Sequence, residues 1–316
     1  MSGRILITPR SLTSGPHPQV ERLHAAGFEV ITCKPNALPT EDELVALLPG
    51  CVGWLAGIEP VSPKVILAAQ DLRIISRNGT GIDNLPLDVL QKRGIKVAIA
   101  GGANAVGVAE LTVALIFSAL RHIPQADFGI KTGAWPRRRG RELRDRNVAV
   151  IGCGSVGSEV ARMLSYLGAR VLANDPLRPD IGLGPDKFHW VDLPTALREA
   201  DVLTLHCPLL PDGKPILDRA AITGLRRSAI IVNTARAGLV DEAAVLAALR
   251  TGHLEGYATD VFEQEPPMDL TLAEHPRVIA TSHIGGFTDE SVDRATSIAI
   301  DSLLAELQPA PQVHVG

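Results

Sequence analysis

A chain of 316 residues exceeds the usual single-domain size of about 100 to 200 residues, so two domains, each large enough for a full core, are expected. With 46% hydrophobic and 21% charged residues, a net charge of −4 and 3% aromatics, the composition is that of a soluble globular protein and excludes a basic, base-stacking surface for nucleic acid. No segment reaches the roughly 18 apolar residues of a membrane helix, and "MSGRILITPR" lacks the apolar core of a signal peptide, so no membrane partner and a cytoplasmic location are expected.

Short apolar runs alternate with helical patterns from the start: "RILITP", "PQVERLHAAG", "FEVITC", "EDELVALL", "VGWLAG", "PKVILAAQ", "RIISR", "LDVLQKRG" and "KVAIA". Strands that repeat with intervening helices need crossover connections, which build a parallel sheet covered on both faces. "GGANAV" breaks the rhythm, placing a hinge at Ala100 to Gly102, and a long apolar helical pattern follows from Val108 to about His122. The charge run "WPRRRGRELRDR", 135 to 146, reads either as a solvated arm or as an intersubunit contact. A second α/β series starts at Asn147 and continues through "DVLTLHC", "SAIIVNT", "EGYATDVF" and "RVIATSH". The closing helical pattern, "TDESVDRATSIAIDSLLAEL", is expected to return to the first domain. The expected fold class is therefore α/β with two doubly wound parallel-sheet domains: 1–100 with 288–316, and 101–287. Cys33, Cys51, Cys153 and Cys207 lie far apart in or beside apolar runs, with no CxxC pair, so neither disulfides nor a metal site is implied.

The stretch "NVAVIGCGSVGSEVARMLSYLGARVLANDP" carries the first chemical signal. Gly152, Gly154 and Gly157 follow an apolar strand and open a helix. The first permits the tight turn, the second lets the backbone approach a pyrophosphate, and the third lets the helix pack on the strand. The helix N-terminus offers unpaired N–H groups and partial positive charge to the anion. Asp175 lies 18 positions beyond Gly157, close to the spacing of about 20 for an acid that accepts from both ribose hydroxyls and repels a 2′-phosphate. NAD is the expected cofactor, and Arg178 leaves room for a minor NADP activity.

A hydride cofactor needs a group to move a proton on the substrate oxygen and a cation to hold an acidic substrate. Three side chains after predicted strands supply these: Arg236 in "VNTARAGLVDE", Glu265 in "TDVFEQEPP" and His283 in "TSHIGG". Taken singly, each also reads as a cap, a loop acid or a structural histidine; their joint order beside a dinucleotide turn argues for catalysis.

With these motifs, and with "RNGTGIDN", "VAELTVALI", "HCPLLP" and "DVFEQEPP", nearly the whole chain resembles the D-isomer-specific 2-hydroxyacid dehydrogenases, and within them the catalytic part of the phosphoglycerate dehydrogenases. The resemblance implies a Rossmann cofactor domain inserted in a flavodoxin-like substrate domain, and reversible hydride transfer between NAD and a small 2-oxo or 2-hydroxy acid. It implies that Arg236 grips the substrate carboxylate, Glu265 orients His283 and His283 shuttles the proton, roles that suit a bidentate guanidinium and a carboxylate-supported imidazole. Asp260 resembles the acid that fixes the nicotinamide carboxamide. Ser155, Val156, His206, Cys207, Pro208, Thr234, Ala235, Gly285 and Thr80 fall at cofactor-lining positions, with His206 read as structural. A homodimer is implied, with 108–146 as the contact.

Several positions depart from the family pattern. Cys153 and Ser155 stand where Leu and Arg are frequent, Ala237 replaces Gly and Ser282 replaces Pro. Arg77 matches an anion-binding arginine, and the backbone at Asn78 and Gly79 is expected to help hold the carboxylate. Ala56 stands where a second arginine is expected, followed by Glu59, while Arg10 reads either as its replacement from the first strand end or as a surface residue. A small 2-oxoacid with a polar or anionic tail, other than 3-phosphohydroxypyruvate, is the expected substrate. The resemblance leaves two alternatives, an NAD-sensing corepressor-like binding protein of the same fold or a phosphoglycerate dehydrogenase lacking the regulatory domain; the sequence ends at Gly316 without a serine-sensing domain, so serine feedback is not expected.

Overall fold

The structure, a computed structural model, describes residues 3–308. The chain divides into two units, Met1–Asn104 with Thr288–Gly316 (unit 1) and Ala105–Phe287 (unit 2), so the first crossing falls shortly after the expected hinge.

Unit 1 begins with strands β1 (Arg4–Ile7), β2 (Glu29–Thr32), β3 (Cys51–Ala56), β4 (Ile74–Arg77) and β5 (Lys96–Ile99), interleaved with helices α1 (Arg10–Thr13), α2 (Glu21–Ala25), α3 (Glu41–Leu47), α4 (Pro63–Ala68) and α5 (Leu87–Lys92). All pairs are parallel, in the order β2-β1-β3-β4-β5, the flavodoxin-like arrangement. The two-residue period sends neighbouring strand residues to opposite cores. Leu6, Trp54 and Ile75 pack with Leu44, Val65 and Leu90 of α3 to α5. Ile5, Ile7, Leu55 and Ile74 pack on the other side, with Leu23 of α2.

Unit 2 holds α6 (Ala105–Arg121), α7 (Ile123–Lys131), β6 (Asn147–Ile151), α8 (Ser155–Tyr166), β7 (Arg170–Asn174), β8 (Phe188–Trp190), α9 (Leu193–Glu199), β9 (Val202–Leu205), α10 (Arg219–Gly224), β10 (Ala229–Asn233), α11 (Glu242–Arg250), β11 (Leu254–Thr259) and β12 (Val278–Ala280). Its parallel sheet runs β12-β11-β10-β9-β6-β7-β8, the Rossmann order extended by one strand. Val148 and Val150 face one core with Val160 and Leu164 of α8. Ala149 and Ile151 face the other with Val245 and Leu249 of α11.

The chain then returns to unit 1 as α12 (Asp289–Leu307), N-capped by the Thr288 hydroxyl, which accepts from the Ser291 N–H. Ala299, Ile300, Leu303 and Leu307 of this helix complete the second core of unit 1. The close approach uses Gly53 on β3: a Cβ there would lie 2.9 Å from Leu307 Cδ1.

Three elements differ from the sequence reading. The helix through 108–122 starts at Ala105 and stops where His122 turns left-handed (φ 55°); Pro124 then opens a separate helix, α7. The three-residue strand β8 and the four-residue helix α1 are not among the elements read from the sequence.

Candidate active site

In unit 2 the chemistry-bearing residues gather at the carboxyl edge of the sheet: Gly152 follows β6, Asp175 β7, His206 β9, Arg236 β10, Asp260 β11 and His283 β12. Local bonding, beginning with the catalytic candidates, explains why each stands as it does.

His283 is a left-handed residue (φ 53°) whose Nδ1 lies 2.8 and 2.7 Å from Glu265 Oε1 and Oε2. A carboxylate only accepts, so Nδ1 carries the hydrogen and donates, and Nε2 is the basic nitrogen of the neutral ring. Nε2 makes no hydrogen bond to the described residues, and the side chain is 46% exposed. The bond to Glu265 and then the charge of Glu265 outweigh burial, raising the imidazole above its ordinary value. Burial acts most strongly on Glu265 and would push it up; the His283 bond and charge, the Phe262 N–H and the Arg236 charge together hold it below the carboxylate range. Arg236 is thus felt at both partners, and it opposes the proton on His283.

Arg236 stands in extended backbone at the start of a short 3-10 turn, Ala237–Leu239. The fully buried Asn233 staples this turn: its Nδ2 donates to the Arg236 carbonyl at 2.8 Å, and its Oδ1 accepts from the Ala235 N–H at 3.1 Å. Asp260, 1% exposed, does the same for the histidine loop. Its Oδ1 accepts from the Thr281 hydroxyl at 2.6 Å and the Ile284 N–H at 2.9 Å, and its Oδ2 from the Gly285 N–H at 2.8 Å. Asn233 and Thr281 escaped the sequence reading although they lie inside "VNTARAG" and "ATSHIGG", because polar residues within a motif do not reveal which way they bond.

The glycine turn fits a dinucleotide. Gly152 is left-handed (φ 87°), and a Cβ there would lie 2.7 Å from Cys207 N; one on Gly157 would lie 1.9 Å from Gly152 O. A Cβ on Gly154 would meet nothing within 4 Å, so backbone at that glycine is open to approach. No side chain caps the 12-residue α8, leaving the N–H groups of Ser155, Val156 and Gly157 for an anion. Asp175 accepts from Cys153 N–H at 2.7 Å and Leu177 N–H at 2.8 Å, which aims the carboxylate from the strand end with lone pairs still available for hydroxyls. Arg178 is exposed. Burial, and then the charge of Asp175, pushes the Cys153 thiol up to about 12, and burial acts first on Cys207, at about 11, so both line the turn as neutral groups. Pro208 is exposed beside them. The buried His206 ring is pushed down to about 3 by desolvation; it is neutral, with Nε2 2.9 Å from Thr204 Oγ1 and Nδ1 unpartnered.

Some expected roles shift. Thr112 donates its hydroxyl hydrogen to Val108 O at 2.8 Å, so Thr234, 2.8 Å away, must donate to Thr112; its hydroxyl ties β10 to α6. Asp260 was expected to face a carboxamide; two of its three bonds fall on Oδ1 and all three hold the histidine loop, leaving acceptor capacity on Oδ2 alone. In unit 1, Arg77, expected to reach an anion, is 4% exposed, and its Nε donates to Gly81 O at 2.8 Å. Asn78 N–H is engaged by Ala56 O at 2.9 Å, and its Oδ1 by the Thr296 hydroxyl at 3.4 Å. The Gly79 N–H has no acceptor among the described residues, and a Cβ on Gly79 would meet nothing, so the open backbone there begins at Gly79 and continues to the half-buried Thr80. Ala56 is fully buried, and Arg10, the first residue of α1, is exposed.

Residues 113–285 match the family described as D-isomer specific 2-hydroxyacid dehydrogenase, NAD binding domain. The chain is 36% identical over 298 residues to the D-3-phosphoglycerate dehydrogenase of Bacillus subtilis, covering 91% of this chain and 54% of that one. It is 35% identical over 273 residues to the hydroxypyruvate reductase of Thermotoga maritima, covering 84% and 88%. It thus spans about half the length of its phosphoglycerate dehydrogenase relatives and most of the reductase. Among solved structures, the TT0316 protein of Thermus thermophilus superposes with a TM-score of 0.86 at 31% identity, covering 96% of each chain.

Proposed function

This chain belongs to the D-isomer-specific 2-hydroxyacid dehydrogenase family, and from that premise we propose that it interconverts small D-2-hydroxy acids and 2-oxo acids with His283 as the acid/base. The matched domain is the family's NAD-binding domain, and NAD is the cofactor. When bound, NAD supplies or accepts the hydride. Gly152, Gly154, Ser155, Val156 and Gly157 would hold its pyrophosphate and Asp175 its ribose, with His206, Cys207, Pro208, Ala235 and Gly285 lining the rest.

The observation that carries this reading is the one-sided grip of Glu265 on His283. Nδ1 is held, the ring charge is stabilised, and Nε2 is left to give a proton to the substrate oxygen in reduction or take it in oxidation. The Arg236 guanidinium offers paired donors to a planar carboxylate, binding it and orienting the neighbouring carbonyl. The neutral thiols and the neutral His206 add no competing charge. A panel of 2-oxoacids, followed by loss of NADH absorbance, tests the proposal: turnover of at least one supports it, and no turnover across the panel, with NADH bound, would leave the corepressor-like alternative.

The same proposal includes a homodimer and a cytoplasmic location. Ile123, Phe128, Ile130 and Trp135 are 50 to 79% exposed on α7 and the arm after it, an apolar run that a second copy would cover. Light scattering on the unmodified protein and on Phe128→Asp checks it: a dimer that dissociates in the variant is expected. The four free cysteines suit a reducing compartment.

A further inference from the structure

Asn233 closes β10 and is 0% exposed, and the main chain fixes its place: it is the register partner of Thr259 on β11, and its carbonyl accepts from the Asp260 N–H at 3.0 Å. A polar side chain at that depth must bond within the protein, and this one uses both ends of its amide on the turn that follows. Oδ1 accepts from the Ala235 N–H at 3.1 Å and Nδ2 donates to the Arg236 carbonyl at 2.8 Å. An N–H can only donate and a carbonyl only accept, so the amide has one orientation. Aspartate has the same shape but, when ionised, no hydrogen for the Arg236 carbonyl.

The bridge spans the soft dihedrals of Ala235 and Arg236 and holds Arg236 extended, with φ −146° and ψ 137°. The two peptide groups that the amide holds flank a third, the one joining Ala235 to Arg236. The carbonyl of that middle peptide, Ala235 O, accepts from Nη1 of the Arg236 guanidinium at 2.8 Å. Peptide groups are rigid planes, so pinning both neighbours sets the direction in which the middle carbonyl meets the guanidinium. Through two short bonds, a residue with no charge and no exposure thus governs the plane of an arginine fork.

Resting on the oxidoreductase reading above, we propose that Asn233 is a positioning residue for the reaction: through Ala235 O it presets the guanidinium plane of Arg236 for bidentate contact with the substrate carboxylate. A bidentate pair is directional, so a tilted fork keeps its charge and loses its second bond. Loss of Asn233 therefore falls on carboxylate binding more than on the chemical step, and only while there is a planar fork to orient.

The test is a double-mutant cycle with Asn233→Ala made in the unmodified protein and in Arg236→Lys. It reads KM and kcat for the best 2-oxoacid of the panel, beside calorimetric binding of oxalate to the NADH-loaded protein; oxalate offers a planar carboxylate and accepts no hydride, so it needs no turnover. In the arginine background Asn233→Ala should weaken oxalate and raise KM by ~10-fold or more with a smaller fall in kcat, and in the lysine background both effects should shrink to under ~3-fold. A merely structural role would weaken NADH and oxalate together, and equally in the two backgrounds; that result, or unchanged oxalate affinity and KM, overturns the proposal. Asn233→Asp, which keeps the shape and the Ala235 bond and loses the donation to the Arg236 carbonyl, should follow Asn233→Ala and replaces it if the alanine variant does not fold. Failure of both variants to fold would assign the amide to stability and overturn the proposal as well. No turnover across the panel, with oxalate bound and weakened as expected, overturns the oxidoreductase reading and upholds Asn233. Turnover with oxalate binding that Asn233→Ala leaves in place does the reverse, and neither turnover nor oxalate binding overturns both.

Discussion

Both carboxylate oxygens of Glu265 lie within 2.8 Å of the same nitrogen of His283, Nδ1, so the acid addresses one edge of the ring and leaves the other to chemistry. Because the pair raises the imidazole above 6.5, the protonated ring persists to higher pH than in a free histidine. Reduction needs the imidazolium: kcat/KM should be level at low pH and fall as pH rises through the raised value, while oxidation, which needs the neutral ring, should rise there. In Glu265→Gln the ring loses its charged partner, and both limbs should move to lower pH. Paired pH profiles check this, and limbs that stay in place in the variant would uncouple the two residues.

Arg236 should be replaceable by neither alanine nor lysine. Alanine removes the charge-assisted pair to the substrate carboxylate, worth about 1.5–3 kcal/mol per bond, so kcat/KM should fall by ~100-fold or more. Lysine keeps a point charge without the planar fork and should recover only part of that loss. Steady-state kinetics of Arg236→Ala and Arg236→Lys with one 2-oxoacid make the comparison; full recovery by lysine would mean that geometry is unimportant there.

Asp175 should set the choice of nucleotide. The unmodified protein is expected to bind NADH in preference to NADPH, since the 2′-phosphate would face the carboxylate, and Asp175→Ala should narrow the difference. The variant should also weaken NADH itself, because Asp175 holds the Cys153 and Leu177 N–H groups in place. Fluorescence titration with both nucleotides reads each effect; equal affinities in the unmodified protein would remove the role.

Asp260→Asn should destabilise the protein through the histidine loop. The amide oxygen can serve Thr281 and Ile284, but its NH2 would then face the Gly285 N–H, leaving a buried donor unpaired at a cost of about 1–3 kcal/mol. A lower denaturation midpoint with a reduced kcat is expected; an unchanged midpoint would show that the loop does not depend on this carboxylate.

The strands at which the candidate site gathers were legible in the sequence because each ends in a residue type with few uses there: glycines where backbone must approach, and Arg236 and His283 just past apolar runs. Side-chain direction was less legible. Arg77 has the charge of an anion binder, but the sequence does not show that it is 4% exposed at the end of β4 or that its Nε donates to Gly81 O. Asp260 and Thr234 were read as cofactor positions, yet Asp260 bonds the histidine loop and Thr234 bonds Thr112 of α6, partners distant in sequence that the motifs do not reveal. Helix α7 was hidden because His122 turns left-handed without a glycine to signal it. Glu59 was visible as an acid after β3, while its burial against Thr8 depends on two strands distant in sequence.

The most direct test of the central claim, that Nε2 of His283 moves the proton, is the turnover of His283→Ala with a 2-oxoacid and NADH, beside a titration of NADH binding to the same variant. His283 belongs to the sheet edge and not to the glycine turn, so NADH affinity should be kept while kcat falls by about 100-fold or more. A variant that binds NADH and retains most of its turnover would contradict the account.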